Sequence, residues 1–220
     1  MGDILSNYDV LGAFWLTIRL AFFSAIGSLV LGTIVAVLRL SPVATLRLIG
    51  TSYVNVFRNT PLTLLMVLSI LGLSGIMGLP LSDDFDQDAI RWAIVMLSVY
   101  HGAFVCEALR SGVNTVPAGQ AEAARSIGLT FGQSMREVLL PQAFRGSIAP
   151  LGSTLIALIK NTTVAAVIGT AEAAGLMQEI IENETGSIGV FLIFAAGFVI
   201  LTLPLGLLFT GMSRRLAVKR

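Results

Sequence analysis

The chain has 220 residues, of which 55% are hydrophobic and 12% charged, and its formal net charge is +1. A typical soluble domain has about twice that share of charged residues, so the composition predicts a protein embedded in a membrane. The length fits one domain, residues 1–220, and leaves no room for a separate nucleotide-binding domain. The sequence has neither a phosphate-binding loop nor a nucleophile elbow. We therefore expect no ATP site and no catalytic residues, and we expect no nucleic-acid partner.

Five apolar segments are long enough, or nearly so, to cross about 30 Å of hydrocarbon as helices. Their approximate bounds are 13–38, 54–79, 90–109, 148–168 and 187–212. Polar residues interrupt the second segment at 58–61 and the fourth at 160–163. Interrupted helices survive in a bilayer only where protein or a water-filled cavity satisfies the freed backbone groups. The pattern therefore predicts an all-α integral membrane protein with five spans, and a transporter rather than an anchor.

The interruption of the second span consists of Arg58, Asn59, Thr60 and Pro61. A guanidinium can hold a carboxylate in a two-pronged hydrogen bond, so Arg58, with Asn59 and Thr60, is a candidate for the pathway of a transported molecule. The alternative is that Arg58 reaches the headgroups or satisfies a neighbouring helix end. Both interpretations stay open here.

The third span contains Glu107 and, one turn later, Arg110. Residues three apart face the same side of a helix, so we expect them to form an ion pair, either a structural one or a gate that breaks during transport. His101 also lies in this span, where a lone histidine is more often a packing residue with a hydrogen bond than a proton relay. With one histidine and no acid–cysteine cluster, we expect no metal site.

A polar island, residues 117–141, follows the third span. Helix formers lead to Gly128, where a helix can end in the left-handed conformation that glycine adopts at little cost. Thr130 and Gln133 have the spacing of a capping box for a second helix, and we expect Pro141 to stop that helix. A charged helix–glycine–helix between membrane segments indicates a surface that a soluble protein grips.

The interruption of the fourth span consists of Lys160, Asn161, Thr162 and Thr163. The ammonium group could offset a carboxylate that crosses the membrane, while the amide and the two hydroxyls offer hydrogen bonds. A purely structural role for the four residues is equally open.

Charge separates by side along the sequence. One set of loops holds mainly basic residues: Arg39, Arg47, Arg110, Arg125, Arg136, Arg145, Arg214, Arg215, Lys219 and Arg220. The other set holds mainly acidic ones: Asp3, Asp9, Asp83, Asp84, Asp86, Asp88, Glu172, Glu179, Glu182 and Glu184, with Arg91 as the one clear base. Because Lys and Arg favour the cytoplasmic side, we expect the N-terminus outside and the C-terminus in the cytoplasm.

The polar island resembles the EAA loop of permease subunits of bacterial ABC importers. Its pattern is Glu122-Ala123-Ala124, three residues, Gly128, nine residues, and then Val138-x-Leu140-Pro141, with Val138 where that family usually has Ile. Residues 58–62 and 160–163 resemble two further patterns of the family. Over roughly residues 14–215 the chain is similar to the polar amino acid permeases, and among them to glutamate-type ones.

This resemblance implies a MetI-like fold and a coupling helix at residues 118–127 that sits on a cytoplasmic ATPase. The residues that it places at the coupling site are Gln120, Glu122, Ala123, Ala124, Arg125, Gly128 and Pro141. ATP and Mg²⁺ would bind to the ATPase and not to this chain. The further partners implied are a second permease copy or related permease, an extracytoplasmic amino-acid-binding protein and a polar amino acid as substrate.

The location implied is the bacterial cytoplasmic (inner) membrane, which the chain would cross several times. Asp83, Asp84, Asp86 and Asp88 would then either meet basic residues of the binding protein or form a solvated acidic loop. A carrier or channel driven by an ion gradient is an alternative, but it leaves the polar island unexplained. A membrane scaffold is a second alternative, and it leaves the two broken spans unexplained.

Overall fold

The computed structural model describes residues 7–41, 43–183 and 188–216. These residues form helices and connecting segments, with no strand among them. The α-helices are α1 (Val10–Leu40), α2 (Ala44–Asn59), α3 (Leu62–Val67), α4 (Phe85–Asn114), α5 (Ala118–Ser126), α6 (Phe131–Gln133), α7 (Leu140–Asn161), α8 (Ala173–Asn183) and α9 (Ile188–Leu216). Wider π-helical turns continue α3 over Leu68–Ile76 and join α6 to α7 over Ser134–Leu139, and a 3₁₀-helix continues α7 over Thr162–Ile168.

Four continuous helical stretches of the described residues are long and apolar enough to cross a membrane. They are Val10–Leu40, Phe85–Asn114, Ser134–Ile168 and Ile188–Arg215. Each contains or largely overlaps one of the predicted spans, although the predicted bounds were too narrow for most of them. The predicted start of the last span, Ser187, lies outside the described residues, as do Asp3, Glu184, Lys219 and Arg220.

The second predicted span, residues 54–79, is broken within the predicted interruption at residues 58–61. The structure divides this region into α2 and the α3 stretch, whose axes differ by 100°. At the break, Thr60 and Pro61 are both extended, with ψ of 131° and 132°. Proline disfavours helical backbone in the residue before it, so Thr60 cannot continue α2. The described residues therefore contain four continuous candidate spans, or five if α2 and the α3 stretch together count as one span.

Helix α4 is the centre of the bundle and packs against α1 on one side and α7 on the other. Small residues make this possible, because Ala89, Ala93 and Ala103 are fully buried along α4. Gly32 of α1 lies so close to Val105 that a Cβ atom would collide with its side chain. Small residues let helix backbones approach in a membrane, where packing rather than water drives association.

The expectation that Pro141 stops a helix is wrong. Pro141 lies in the first turn of α7, and the helix continues to Asn161. The fixed φ of proline suits a helix, and the turn before Pro141 already has the wider π-helical pattern of hydrogen bonds. The π-helical turn over Ser134–Leu139 comes just before it and carries the chain from α6 into α7, as such bulges do inside helices. Pro150 is also accommodated within α7.

Candidate functional site

The turn that ends α5 has the geometry that the sequence predicted. Gly128 has φ of +85°, and its N–H donates to the carbonyl of Arg125 at 3.0 Å, while Leu129 N–H donates to the carbonyl of Ala124 at 3.1 Å. This pair of bonds is the Schellman ending, which satisfies the last carbonyls of a helix. An L-residue other than glycine is strained at this φ, so Gly128 fixes the direction in which the chain leaves α5.

The capping box after this turn is also present. The backbone N–H of Thr130 donates to Oε1 of Gln133 at 2.9 Å, and the N–H of Gln133 donates to Oγ1 of Thr130 at 3.4 Å. The two bonds satisfy free N–H groups at the start of a helix reciprocally. The helix–turn–helix of the polar island is therefore held at both ends of its turn by local hydrogen bonds.

The side chains of α5 divide into an exposed and a buried set. Glu122, Ala123 and Arg125 are exposed, whereas Ala124 is only 3% exposed and packs within the chain. Ala124, which the resemblance placed at the coupling site, is therefore packed inside this subunit, whereas Ala123 is available to a partner. Oε1 of Gln120 accepts a hydrogen bond from Nε2 of Gln142 at 3.4 Å, which ties α5 to α7.

A cluster of charged residues joins three helices at the end of α4 nearest to α5. The carboxylate of Glu107 forms ion pairs with Arg39 of α1, with Arg110 at 3.4 Å and with Arg58 of α2 at 3.9 Å. The predicted pair with Arg110 is thus present, but the closer pair with Arg39 was not expected. Because three guanidiniums share one carboxylate, this Glu107 cluster is positively charged and fixes α1, α2 and α4 together.

The residues of the first break mainly satisfy the end of their own helix. Nδ2 of Asn59 donates to the carbonyl of Asn55 at 2.7 Å, and Oγ1 of Thr60 donates to the carbonyl of Val56 at 2.8 Å. Arg58 points to the Glu107 cluster and lies 5.5 Å from the centre of the Phe104 ring, a distance typical of a cation–π contact. These contacts explain how the freed backbone groups of α2 are accommodated.

The second break has a different arrangement. Lys160 is exposed and has no ion-pair or hydrogen-bond partner for its ammonium among the described residues. Nδ2 of Asn161 lies 3.1 Å from Nε2 of His101 on α4. The hydroxyls of Thr162 and Thr163 donate to the carbonyls of Ile159 and Lys160, both at 2.8 Å. Lys160 is therefore the residue of this break with a charge that a ligand can meet.

Two acids that were expected in exposed loops are buried. Asp88 is 3% exposed, and its carboxylate accepts hydrogen bonds from Oγ of Ser74 at 2.5 Å and from the N–H of Leu81 at 2.6 Å. It ties the segment after α3 to the first turn of α4. Asp83, Asp84 and Asp86 remain exposed, so the solvated acidic loop is smaller than predicted.

Glu172 is fully buried and holds the start of α8. Its Oε1 accepts hydrogen bonds from the N–H groups of Ala174 and Gly175, both at 3.0 Å, and its Oε2 accepts one from Oγ1 of Thr17 at 3.2 Å. Burial raises the pKa of the Glu172 carboxyl, and these hydrogen bonds oppose the rise. An acid directly before a helix start interacts favourably with the helix dipole, which is a sequence signal for the contact with α8 but not for the burial of Glu172.

No group of three or more His, Cys, Asp and Glu side chains able to hold a metal ion occurs in the part of the chain that the structure describes. The described residues instead present a polar helix pair outside the long apolar helices, a bend of 100° between α2 and the α3 stretch, and a change from α to 3₁₀ geometry at the end of α7.

The model of one protein family, "Binding-protein-dependent transport system inner membrane component", matches residues 28–219. The chain belongs to this family. It is therefore a permease subunit of an ABC importer, a transport protein rather than an enzyme, with the ATPase on a separate subunit. The EAA-type loop at residues 117–141 and both broken helices lie within the matched region.

Relatives of the family match almost the whole chain. The glutamate transport system permease protein GluC of Corynebacterium glutamicum is 52% identical over 218 residues, with 96% of each chain covered. The probable glutamine permease protein GlnM of Bacillus subtilis is 33% identical, with 97% of this chain and 96% of the relative covered. The glutamate/aspartate import permease protein GltK of Escherichia coli O157:H7 is 32% identical, with 92% and 91% covered.

Solved structures have the same fold. An amino acid ABC transporter crystallised with histidines has a chain that is 27% identical, with a TM-score of 0.84 and coverage of 94% of this permease and 93% of that chain. The inward-facing MetNI methionine transporter has a chain with a TM-score of 0.74 at 23% identity, with 95% and 96% covered; this likeness concerns the fold alone. The all-α, MetI-like permease fold expected from the sequence is confirmed.

Proposed function

We propose that this permease imports a polar amino acid, with glutamate or a related one favoured, across the bacterial cytoplasmic membrane by alternating access. The observation that carries the proposal is 52% identity over 218 residues to a glutamate transport permease. The exposed ammonium of Lys160 beside a broken helix supports it, because every amino acid brings a carboxylate that must cross the membrane. ATP and Mg²⁺ bind to the partner ATPase and not to this chain.

The helix α5 is the coupling helix in this proposal. Glu122, Ala123 and Arg125 are its exposed contacts for the ATPase, and Gly128 fixes its angle to the following helix. Gln120 carries part of the push into α7 through Gln142. Closure of the ATPase pair displaces α5, and the bundle then rocks between inward-open and outward-open states.

This mechanism requires α5 and the C-terminus to lie in the cytoplasm and the N-terminus outside. The bias of Lys and Arg supports this orientation, because the basic residues fall on the side of α5 and on the last turn of α9, which carries Arg214 and Arg215. The burial of Asp88 and Glu172 removes two charges from the outer loops without changing that bias. The single domain of residues 1–220 is thus a membrane unit with one coupling loop, residues 117–141.

The pathway residues divide by their contacts. Lys160 faces the amino acid in our proposal, and Asn161, Thr162 and Thr163 shape the helix break that presents it. Arg58, Asn59, Thr60 and Glu107 act mainly by fixing the neighbouring helices. A second permease, identical or related, completes the pathway, and an extracytoplasmic binding protein delivers the substrate near the exposed Asp83, Asp84 and Asp86.

The test is purification of this permease from its native membrane, identification of what copurifies, and measurement of ATP-dependent glutamate uptake in proteoliposomes. The variant is Gly128→Arg, because its strained φ costs about 1–2 kcal/mol for an L-residue and redirects the turn beside α5. Gly211→Arg near the end of α9 is the matched control, since nothing lies within 4 Å of a Cβ atom there. We expect the parent and the control to retain an ATPase subunit, and Gly128→Arg to lose it.

Other results would change the proposal in defined ways. If a stable parent copurifies with no ATPase, the coupling function is wrong. If uptake stops with an ionophore while ATP persists, an ion gradient drives the transport and the alternative carrier is supported. If ATP drives uptake of another amino acid but not of glutamate, only the substrate assignment fails.

A further inference from the structure

The histidine of α4 is a buried ionisable side chain within the bundle that the proposed mechanism does not use. His101 is 2% exposed and lies in the middle of α4. Burial of a polar group costs free energy unless a hydrogen bond compensates it, and an ionisable residue within a membrane helix is expected to act with a definable partner. A leucine would fill this position without that cost.

The partner of His101 is the side chain of Asn161. Nδ2 of Asn161 lies 3.1 Å from Nε2 of His101, which is within hydrogen-bond distance. Nδ1 has no hydrogen-bond partner among the residues that the structure describes. Its other neighbours are the rings of Tyr100 and Phe104 on the same helix. The single polar contact of His101 therefore bridges α4 to α7.

Asn161 occupies a special place in the fold. It is the last residue of α7, and the 3₁₀-helix begins at Thr162. A change from α to 3₁₀ geometry within a helix often marks a functional hinge. Lys160, the candidate contact for the amino acid, directly precedes Asn161. A side chain that holds Asn161 therefore also determines where Lys160 is presented.

The C-terminal end of α4 is joined closely to α5, the coupling helix of the proposed function. Only residues 115–117 separate α4 from α5, and this linker is hydrogen bonded: Oγ1 of Thr115 donates to the carbonyl of Gly112 at 2.7 Å, and the N–H of Val116 donates to the carbonyl of Val113 at 3.1 Å. His101 is 13 residues before the end of α4, which is about 20 Å along the helix. A displacement of α5 is thus carried along α4 to the level of His101.

A second contact between α4 and α7 lies near the coupling helix. Oγ of Ser147 donates to the carbonyl of Leu109 at 3.4 Å, and a Cβ atom on Gly112 would collide with Ser147 and with the carbonyl of Ala143. Here the backbones of α4 and α7 are in contact, so a displacement of α4 acts on α7 directly. At the end of α7 the displacement of α4 acts through the side-chain contact between His101 and Asn161.

We propose that His101 is a positioning residue that transmits the displacement of α4 to the junction of α7 with the 3₁₀-helix, and so sets the position of Lys160 during transport. The inference rests on the proposed function, because it assumes that α5 is driven by an ATPase. It adds a residue that no pattern in the sequence assigns to coupling. Packed side chains and hydrogen bonds can carry coupling between two sites, and α5, α4, His101, Asn161 and Lys160 form a connected series of such contacts.

The experiment measures the number of amino acids imported per ATP hydrolysed by the complete transporter in proteoliposomes. The variants are His101→Leu, His101→Gln and Asn161→Leu. The matched control is Ser98→Ala, one turn away on α4. Ser98 is also buried and polar, but its hydroxyl donates to the carbonyl of Ile94 on its own helix at 2.6 Å and to that of Ser24 on α1 at 3.5 Å, and not to α7. Coupling free energies correspond to about 5- to 150-fold effects, so we expect His101→Leu to lower the ratio at least about fivefold.

The other variants sharpen the result. His101→Gln keeps a hydrogen-bonding group and should recover part of the ratio, while Ser98→Ala should stay within about twofold of the parent, as expected for a site outside the network. His101→Leu and Asn161→Leu each remove the same contact, one by changing each partner. The double variant should therefore lower the ratio no more than either single variant does. If His101→Leu does not fold, Asn161→Leu still tests the contact.

Three outcomes would overturn the inference. In the first, uptake and ATP hydrolysis by His101→Leu fall in parallel, so that the ratio is unchanged and His101 has only a packing role. In the second, the effects of His101→Leu and Asn161→Leu multiply in the double variant. In the third, Ser98→Ala lowers the ratio as much as His101→Leu does. Failure of the proposed function looks different, because the parent transporter itself would then import no amino acid at the expense of ATP.

Discussion

The two broken helices of this permease begin from similar polar sequences and end in different structures. At the first break Thr60 and Pro61 are extended, and the helices on either side differ in direction by 100°. At the second break the chain passes from α7 into a 3₁₀-helix and remains hydrogen bonded until Gly169, with φ of +86°. Polar residues mark where a membrane helix is interrupted, but a proline decides whether the interruption becomes a bend.

The cations of the two breaks differ in the same way. Arg58 is drawn to Glu107, at 3.9 Å, and to the Phe104 ring. Lys160 is exposed and its ammonium has no partner within the described part of the chain. The bent break therefore uses its charge to fix the fold, and the straight break leaves its charge available. This difference is why we assign the amino acid to Lys160.

The largest effect on this comparison should come from Thr162→Pro, which places a proline within the second break. The N–H of Thr162 donates to the carbonyls of Leu158 and Ile159, and a proline loses these bonds and clashes with the preceding turn. We expect the free energy of unfolding to fall by about 3 kcal/mol, measured by thermal or denaturant unfolding in detergent, together with loss of uptake.

Thr162→Ser is the control for that change. It keeps the hydroxyl that donates to Ile159 at 2.8 Å and removes one buried methyl group, which is worth about 1 kcal/mol. A Thr162→Pro protein as stable as Thr162→Ser would contradict the account, since it would mean that the second break has no need of its hydrogen bonds and resembles the first.

A smaller effect is expected from Pro61→Ala, which removes the proline from the first break. Pro61 has φ of −60° and directly precedes α3, so the native conformation suits it. Loss of a compatible proline lowers stability by about 0.4–1 kcal/mol through the unfolded chain, and unfolding measurements should show a decrease of that size. A gain in stability would instead indicate that Pro61 holds α2 and α3 in an unfavourable bend.

The sequence predicted those features that depend on local chemistry. Gly128 and the Thr130–Gln133 capping box were found because a left-handed residue and a helix start have residue-specific requirements. The candidate coupling residues could be proposed for a similar reason, since their motif is continuous along the chain. The interruption at residues 58–61 was predicted, whereas the stop at Pro141 was wrong, because the effect of a proline depends on the turn in which it lies.

Contacts between helices that are distant in the sequence could not be predicted from local patterns. The pair between Arg39 and Glu107 joins residues 68 positions apart, and the pair between Thr17 and Glu172 joins residues 155 apart. Nothing in a local pattern indicates that Glu172 is fully buried or that Asp88 ties a loop to α4. Exposed and buried acids look alike in a sequence, and only the packing of the helices separates them.

The smallest effect on stability, and the most direct test of function, should come from Lys160→Met compared with Arg58→Met. Lys160 is exposed and without a partner for its ammonium in the described residues, so we expect its loss to change the free energy of unfolding by less than about 0.5 kcal/mol. A hydrogen bond to a charged group contributes about 1.5–3 kcal/mol, so the KM for uptake should rise at least about tenfold. A rise in KM with kcat unchanged identifies lost binding.

Arg58→Met should instead lower the free energy of unfolding by up to about 1 kcal/mol, because a half-exposed ion pair contributes little more. Its effect on KM should be smaller than that of Lys160→Met. Both variants replace a long cation with an unbranched apolar side chain of similar length, so differences in packing are kept small. If Arg58→Met raises KM more than Lys160→Met does, the assignment is reversed. The bent break would then present the charge that meets the amino acid, and Glu107 would serve to hold Arg58 for that contact.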